Sequence, residues 1–187
     1  MTATTEITSY KTAIPGLLVF NVSKIEDQRG YFQEKYQKEK LVKAGLPDSF
    51  TVVQNSVSYN KEIGVTRGLH AEPWDKYISV VSGEVFAAYV DLREGPSFGK
   101  VVTVNIDSSK TVFLPKGVAN SFQTLTPNTY YLYSVNSHWK PDNYDQYCFV
   151  NLNDPDLNIE WPIPLDKAIL SDRDKQHPTL KEIKPLN

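Results

Sequence analysis

Apolar and β-branched runs in this chain are short, and each one closes in a turn. Leu17–Val22 precedes Glu26-Asp27-Gln28-Arg29-Gly30, and Phe50–Tyr59 precedes the loop Asn60–Gly64. Glu84–Arg93 is followed by Gly95-Pro96-Ser97-Phe98-Gly99. Val101–Ile106, Thr111–Leu114, Ala119–Leu125 and Thr129–Val135 are separated or closed by turns such as Pro115-Lys116-Gly117, Thr126-Pro127-Asn128 and Pro141-Asp142-Asn143. Runs of this length, rich in valine, tyrosine and phenylalanine, read as strands. Tyr31–Tyr36 alternates aromatic and polar residues, as a half-exposed strand does. Only Lys38–Ala44 carries good helix formers, and Gly45-Leu46-Pro47 ends it. Many short strands with almost no helix predict an all-β fold, an antiparallel sandwich or a jelly-roll barrel.

The ends of the chain read differently. Residues 1–12 are polar and are expected to form a loose tail or an arm onto a partner subunit. Beyond Asn151 the chain is rich in proline and aspartate and has no clear period; Ser171 could cap a short helix there. No repeat or linker divides the 187 residues, so one domain with a sizeable core is expected. A net charge of −2 gives no basic field for nucleic acid, so an anionic ligand would need a local cationic pocket. Cys148 is the single cysteine, which rules out an internal disulfide and fits a reducing compartment. The start lacks the pattern of a secretory leader, and no apolar run reaches the ~18–20 residues of a membrane span. A soluble, cytoplasmic protein without nucleic-acid or membrane partners is the expectation.

Chemistry concentrates in Gly64–Val85. Along an extended Arg67–Glu72 run, His70 and Glu72 share one face, while Leu69 and Ala71 take the other. Lys76 follows closely. A histidine and a cation on one face suit proton chemistry on an anion; a satisfied core histidine beside an ion pair is the plainer alternative. Of the three histidines, His138 lies beside Trp139 and His177 precedes Pro178 in an expected loop, leaving His70 as the one in a predicted core strand. Metal-binding barrels of the cupin type carry a His-x-His pair with a following Glu, then Pro-x-Gly-x-x-His. Here the first pattern has only His70 and Glu72, and the second reads Pro115-Lys116-Gly117-Val118-Ala119-Asn120. One histidine and one glutamate make a poor zinc or iron site.

Several segments, in order, carry a family resemblance. They are Asp27–Glu34, Gln54–Ser58, Gly64–His70, Val90–Arg93, Pro96–Lys100, Pro115–Asn120, Asn153–Pro155, Ile159–Pro162 and Leu170–Asp174. Over roughly Ile14 to Pro178 the chain resembles the dTDP-4-dehydrorhamnose 3,5-epimerases, metal-free members of the cupin superfamily. The resemblance implies a cupin-type jelly roll with short flanking helices, a homodimer, and no cofactor or metal. It implies conversion of dTDP-4-dehydro-6-deoxy-D-glucose to dTDP-4-dehydro-L-rhamnose in dTDP-L-rhamnose biosynthesis.

It also implies roles. His70 matches the base and Asp174 the carboxylate that orients it, a pairing that fixes an imidazole tautomer. Tyr133 matches the general acid, although residue type alone does not separate it from Tyr130 and Tyr131. Lys76 matches the cation beside the enolate oxygen. Arg67 is expected at the diphosphate, Gln54 at the substrate, and Trp139 stacked on thymine. Arg29, Phe32 and Glu34 match a segment that reaches the nucleotide of the neighbouring subunit. Asn120 stands where many members have a diphosphate-holding histidine, and His70-Ala71-Glu72-Pro73-Trp74-Asp75-Lys76 is similar to a streptococcal-type subgroup. The alternatives are an epimerase acting at one carbon, a sugar-nucleotide binding protein without catalysis, and a metal-dependent cupin enzyme.

Overall fold

The structure is a computed structural model and describes residues 5–187. Its strands, in chain order, are β1 (Ile7–Lys11), β2 (Leu18–Val22), β3 (Ile25–Asp27), β4 (Gly30–Phe32), β5 (Gln54–Asn60), β6 (Thr66–Ala71) and β7 (Lys76–Ser82). They continue with β8 (Val85–Asp91), β9 (Val101–Ile106), β10 (Lys110–Leu114), β11 (Val118–Thr124), β12 (Thr129–Val135) and β13 (Cys148–Phe149). One α-helix, α1 (Lys38–Lys43), lies between β4 and β5. Gln37 caps it, its side chain accepting from the Lys40 amide.

Two antiparallel sheets face each other, in the order β1-β2-β10-β7-β12-β5 and β13-β6-β11-β8-β9; β3 and β4 form a separate hairpin. This is the expected jelly roll. Alternation along the strands explains the layering. Val19, Ile78, Val80, Val112 and Tyr131 from the first sheet meet Ala87, Tyr89, Ile106 and Phe122 from the second in one buried core. The outer face of the first sheet, with Phe20, Tyr77 and Phe113, is covered by Leu41 of α1 and by Leu46 and Phe50. The outer face of the second, with Leu69, Ala71, Val90 and Ala119, is covered by Val150, Leu152 and Leu157 of the C-terminal region. Irregular as it reads, that region is a lid on the sheet, and it carries Asp174 back to β6.

Four expectations change. The expected N-terminal tail or arm over residues 1–12 is, from Ile7 to Lys11, an edge strand paired to β2; residues 1–4 lie outside the described residues. The strand expected over Phe50–Tyr59 starts only at Gln54, because Phe50 turns aside to pack edge-on against Phe113. The strand expected over Tyr31–Tyr36 stops at Phe32, and Tyr36 packs edge-on against Tyr77. The expected helix near Ser171 is a single 3-10 turn, Asp174–Gln176, with the Ser171 hydroxyl accepting the Asp174 amide.

Candidate active site

At one end of the space between the sheets the apolar core gives way to polar side chains. The stacked rings of Phe122 and Tyr131, 4.1 Å between centroids, close its inner side. Beyond them lies a chamber of about 220 Å³ lined by Arg67, His70, Glu72, Lys76, Asn120 and Tyr133, among others. A second chamber of about 350 Å³ shares His70, Glu72 and Tyr133 with the first. Its other walls include Gln54, Trp74, Trp139, Tyr144 and Tyr147. The two form one cleft, cationic inside and aromatic at the mouth.

Strict alternation would not put Arg67, His70 and Glu72 on one wall. A bulge does. Arg67 pairs with Phe122 and His70 with Asn120, so three steps along β6 match two along β11. Gly68 occupies the bulge with φ +132°, and a Cβ there would lie 2.5 Å from that of Ser121.

His70 Nε2 lies 2.8 Å from Asp174 Oδ1. Burial pushes the Asp174 carboxyl up, but His70 and the Ser171 hydroxyl outweigh it and hold the group below its ordinary value. An ionised carboxylate only accepts, so the shared proton sits on Nε2, and in the neutral ring Nδ1 keeps its lone pair. The imidazole is thereby set as a base. Phe149 packs edge-on against it.

Lys76 enters from the opposite sheet. It is 5 % exposed and donates to Asn120 Oδ1 at 2.9 Å, with Glu72 Oε1 at 2.6 Å. Burial lowers its pKa while Glu72 opposes that shift. Stranding either member of such a buried pair costs on the order of 3–5 kcal/mol, so Lys76 and Glu72 behave as one unit. Trp74 holds Glu72 from behind, its indole N–H donating to Oε2 at 2.8 Å. Lys76 also sits 5.3 Å from the centre of the Tyr133 ring. Burial, then Glu72, raises the Tyr133 pKa, and Ser56 and Arg67 partly offset this. The phenol thus holds its proton at neutral pH.

The structure therefore brings His70, Asp174, Lys76, Tyr133, Arg67, Gln54, Asn120 and Trp139 to one cleft. Asn120 serves first as an acceptor for Lys76. Gln54 accepts the Trp139 amide at 2.9 Å and so positions the exposed indole. Arg29, Phe32 and Glu34 do not line either chamber of their own chain. Arg29 pairs with Asp27, Phe32 is 62 % exposed on the β3–β4 hairpin, and Glu34 binds Lys40 and Thr5. Glu72 is a site residue that residue type undervalued, although its shared face with His70 pointed to it. His177, expected in a loop, is buried beside Asp174; no local signal marks it.

Comparison with known proteins points to one family. Residues 11–182 match the family model described as dTDP-4-dehydrorhamnose 3,5-epimerase. A protein of Streptococcus pyogenes, "Protein RmlC homolog", is 50 % identical over 92 % of this chain and 89 % of its own. The structure of RmlC from Streptococcus suis in complex with dTDP-D-xylose superposes with a TM-score of 0.92 at 46 % identity, covering 96 % of this chain and 94 % of that one. A mutant of ChmJ, a 3'-monoepimerase from Streptomyces bikiniensis in complex with dTDP, superposes with a TM-score of 0.81 at 30 % identity, covering 92 % and 87 %.

Proposed function

This chain belongs to the dTDP-4-dehydrorhamnose 3,5-epimerase family, and from that premise we propose that it converts dTDP-4-dehydro-6-deoxy-D-glucose to dTDP-4-dehydro-L-rhamnose, a step of dTDP-L-rhamnose biosynthesis. The observation that carries the mechanism is the placement of His70 and Tyr133 on opposite sheets, facing one cleft. A sugar ring lying between them offers one face to a base and the other to an acid. The C4 ketone acidifies the protons at C3 and C5. His70 takes each proton through Nδ1, and Asp174 steadies the imidazolium. The enolate charge appears only as the proton leaves, and Lys76 is already fixed to meet it. Tyr133 returns a proton from the far face.

The inner chamber suits the sugar and the aromatic mouth suits the nucleotide. Arg67, beside the inner chamber, is the proposed diphosphate ligand, and Trp139 the platform for thymine. Trp139→Ala is expected to weaken dTDP by about 1–3 kcal/mol. Arg67→Ala is expected to weaken it more at low salt than at high, because the lost contact is ionic. Calorimetric titration of both variants checks this; unchanged affinity in both would place the nucleotide elsewhere.

The working form is proposed to be a cytoplasmic homodimer of single-domain chains. The β3–β4 hairpin leaves Tyr31 and Phe32 exposed, as a segment seated on a second copy would be. Arg29 and Phe32 are proposed to reach that copy's nucleotide, while Glu34, tied to Lys40 and Thr5, anchors the segment behind the hairpin. No helix of the described residues is long and apolar enough to cross a membrane.

Catalysis is proposed to need no metal or cofactor. The test is to strip the protein with EDTA, dialyse it, and follow conversion of the 4-keto sugar nucleotide. Full activity is expected. Activity lost and then restored by a divalent ion would overturn the metal-free reading.

A further inference from the structure

Behind the catalytic dyad sits a histidine with nothing to do in the proposed reaction. His177 is 8 % exposed, and neither ring nitrogen makes a hydrogen bond of ordinary geometry among the described residues, the Gly68 backbone being only a weak polar neighbour. A neutral imidazole buries one donor and one acceptor, and leaving both unpaired is costly. Its ring is held in place by stacking on Phe149, 4.7 Å between centroids. From there Nε2 points toward Asp174 Oδ1 at 3.9 Å, too far for a hydrogen bond. His70 lies on the other side of the same oxygen, 2.8 Å away. One ligand atom from each of His70, Asp174 and His177 falls within 4.8 Å of the others.

We propose that His70, Asp174 and His177 form an inhibitory site for a divalent transition-metal ion of the zinc class. Two imidazoles and a carboxylate are a donor set that zinc accepts, with a fourth position left for water. Tetrahedral zinc with ligands near 2.0–2.1 Å sets its donors about 3.3 Å apart. The two distances to Asp174 Oδ1, 2.8 and 3.9 Å, straddle that value. His70 is part-exposed to the cleft, which gives the ion a way in.

The consequence for turnover rests on the reading of His70 as the base. An ion on Nε2 takes that nitrogen's lone pair. The neutral ring has one proton, which must then sit on Nδ1. No lone pair faces the substrate, and Asp174 is held by the ion. Zinc would therefore switch off a reaction that needs no metal.

The test starts from EDTA-stripped, dialysed protein. Cobalt(II) reports the site by its visible ligand-field absorption, and equilibrium dialysis counts zinc; neither needs turnover. One ion per chain is expected, with zinc inhibiting at the concentration at which it binds. His177→Phe keeps a ring on Phe149 and removes both donors. It should weaken binding and inhibition together, by at least the ~10–100-fold that loss of an outer-shell partner costs at other metal sites. Inhibition is read against each variant's own zinc-free rate, and thermal melting of His177→Phe and a second variant, His177→Gln, checks folding. Cys148→Ser should change nothing. Equal zinc binding by parent and folded His177 variants, loss of binding in Cys148→Ser, or no binding at all would overturn the proposal. Zinc and cobalt bound through His177 in a protein without epimerase activity would uphold the site and refute the functional reading instead.

Discussion

His70→Asn is expected to abolish exchange of substrate protons with solvent at both C3 and C5 while dTDP still binds. Asparagine can keep a hydrogen bond to Asp174 but has no basic nitrogen. One imidazole is proposed to serve both carbons, since His70 lines both chambers and its Nδ1 is left free by the Nε2 contact to Asp174. A positioned base contributes about 10²–10⁴ to rate, and losing it at both carbons should leave no measurable exchange. The nucleotide, by contrast, is proposed to rest on Arg67 and the aromatic mouth. NMR of the substrate in D2O and a dTDP titration together check this. Exchange near the parent rate at either carbon would remove His70 as the base.

Tyr133→Phe should separate two steps that are easily taken for one. In the proposed mechanism, removing a proton needs His70 and a cation for the enolate; it does not need the phenol. Returning a proton to the other face needs an acid on the other sheet. Phenylalanine keeps the ring that packs beside Lys76 and loses only the hydroxyl. The variant is expected to keep washing deuterium into the substrate from the His70 side, while inversion at C5 falls by about 10²–10⁴. NMR that follows deuterium content and C5 configuration together is the measurement. Normal inversion would take Tyr133 out of the mechanism. Loss of exchange along with inversion would make it an organiser of the site and not the acid.

Much of the fold was legible because turns and β-branched runs are local signals. Ala119–Leu125 and Thr129–Val135 fall within a residue of strands β11 and β12. Phe50 and Tyr36 misled because their aromatic character serves packing around α1 and Tyr77, not pairing. The site was legible where alternation holds and obscure where it breaks. Arg67 and His70 share a wall only through the bulge at Gly68, which depends on Ser121 of another strand. The three tyrosines of β12 illustrate the limit. Tyr130 points outward at 43 % exposed, as alternation allows. Tyr131 and Tyr133 share the inner face, and only depth distinguishes them. Tyr131 is sealed against Phe122, while Tyr133 lies at the polar end beside Lys76. His177 was out of reach of local reading, because its burial arises from a C-terminal segment folding back onto β6.

One base and one acid, on facing sheets, are proposed to invert two carbons of one sugar. The structural relative named as a 3'-monoepimerase makes the count of carbons the deciding quantity. Incubating the unmodified protein with dTDP-4-dehydro-6-deoxy-D-glucose in D2O, and reading carbon-bound deuterium and ring configuration by NMR, measures it directly. The expected result is deuterium at both C3 and C5 and a product with the configuration of dTDP-4-dehydro-L-rhamnose. Deuterium and inversion confined to one carbon, or absent from both, would contradict it.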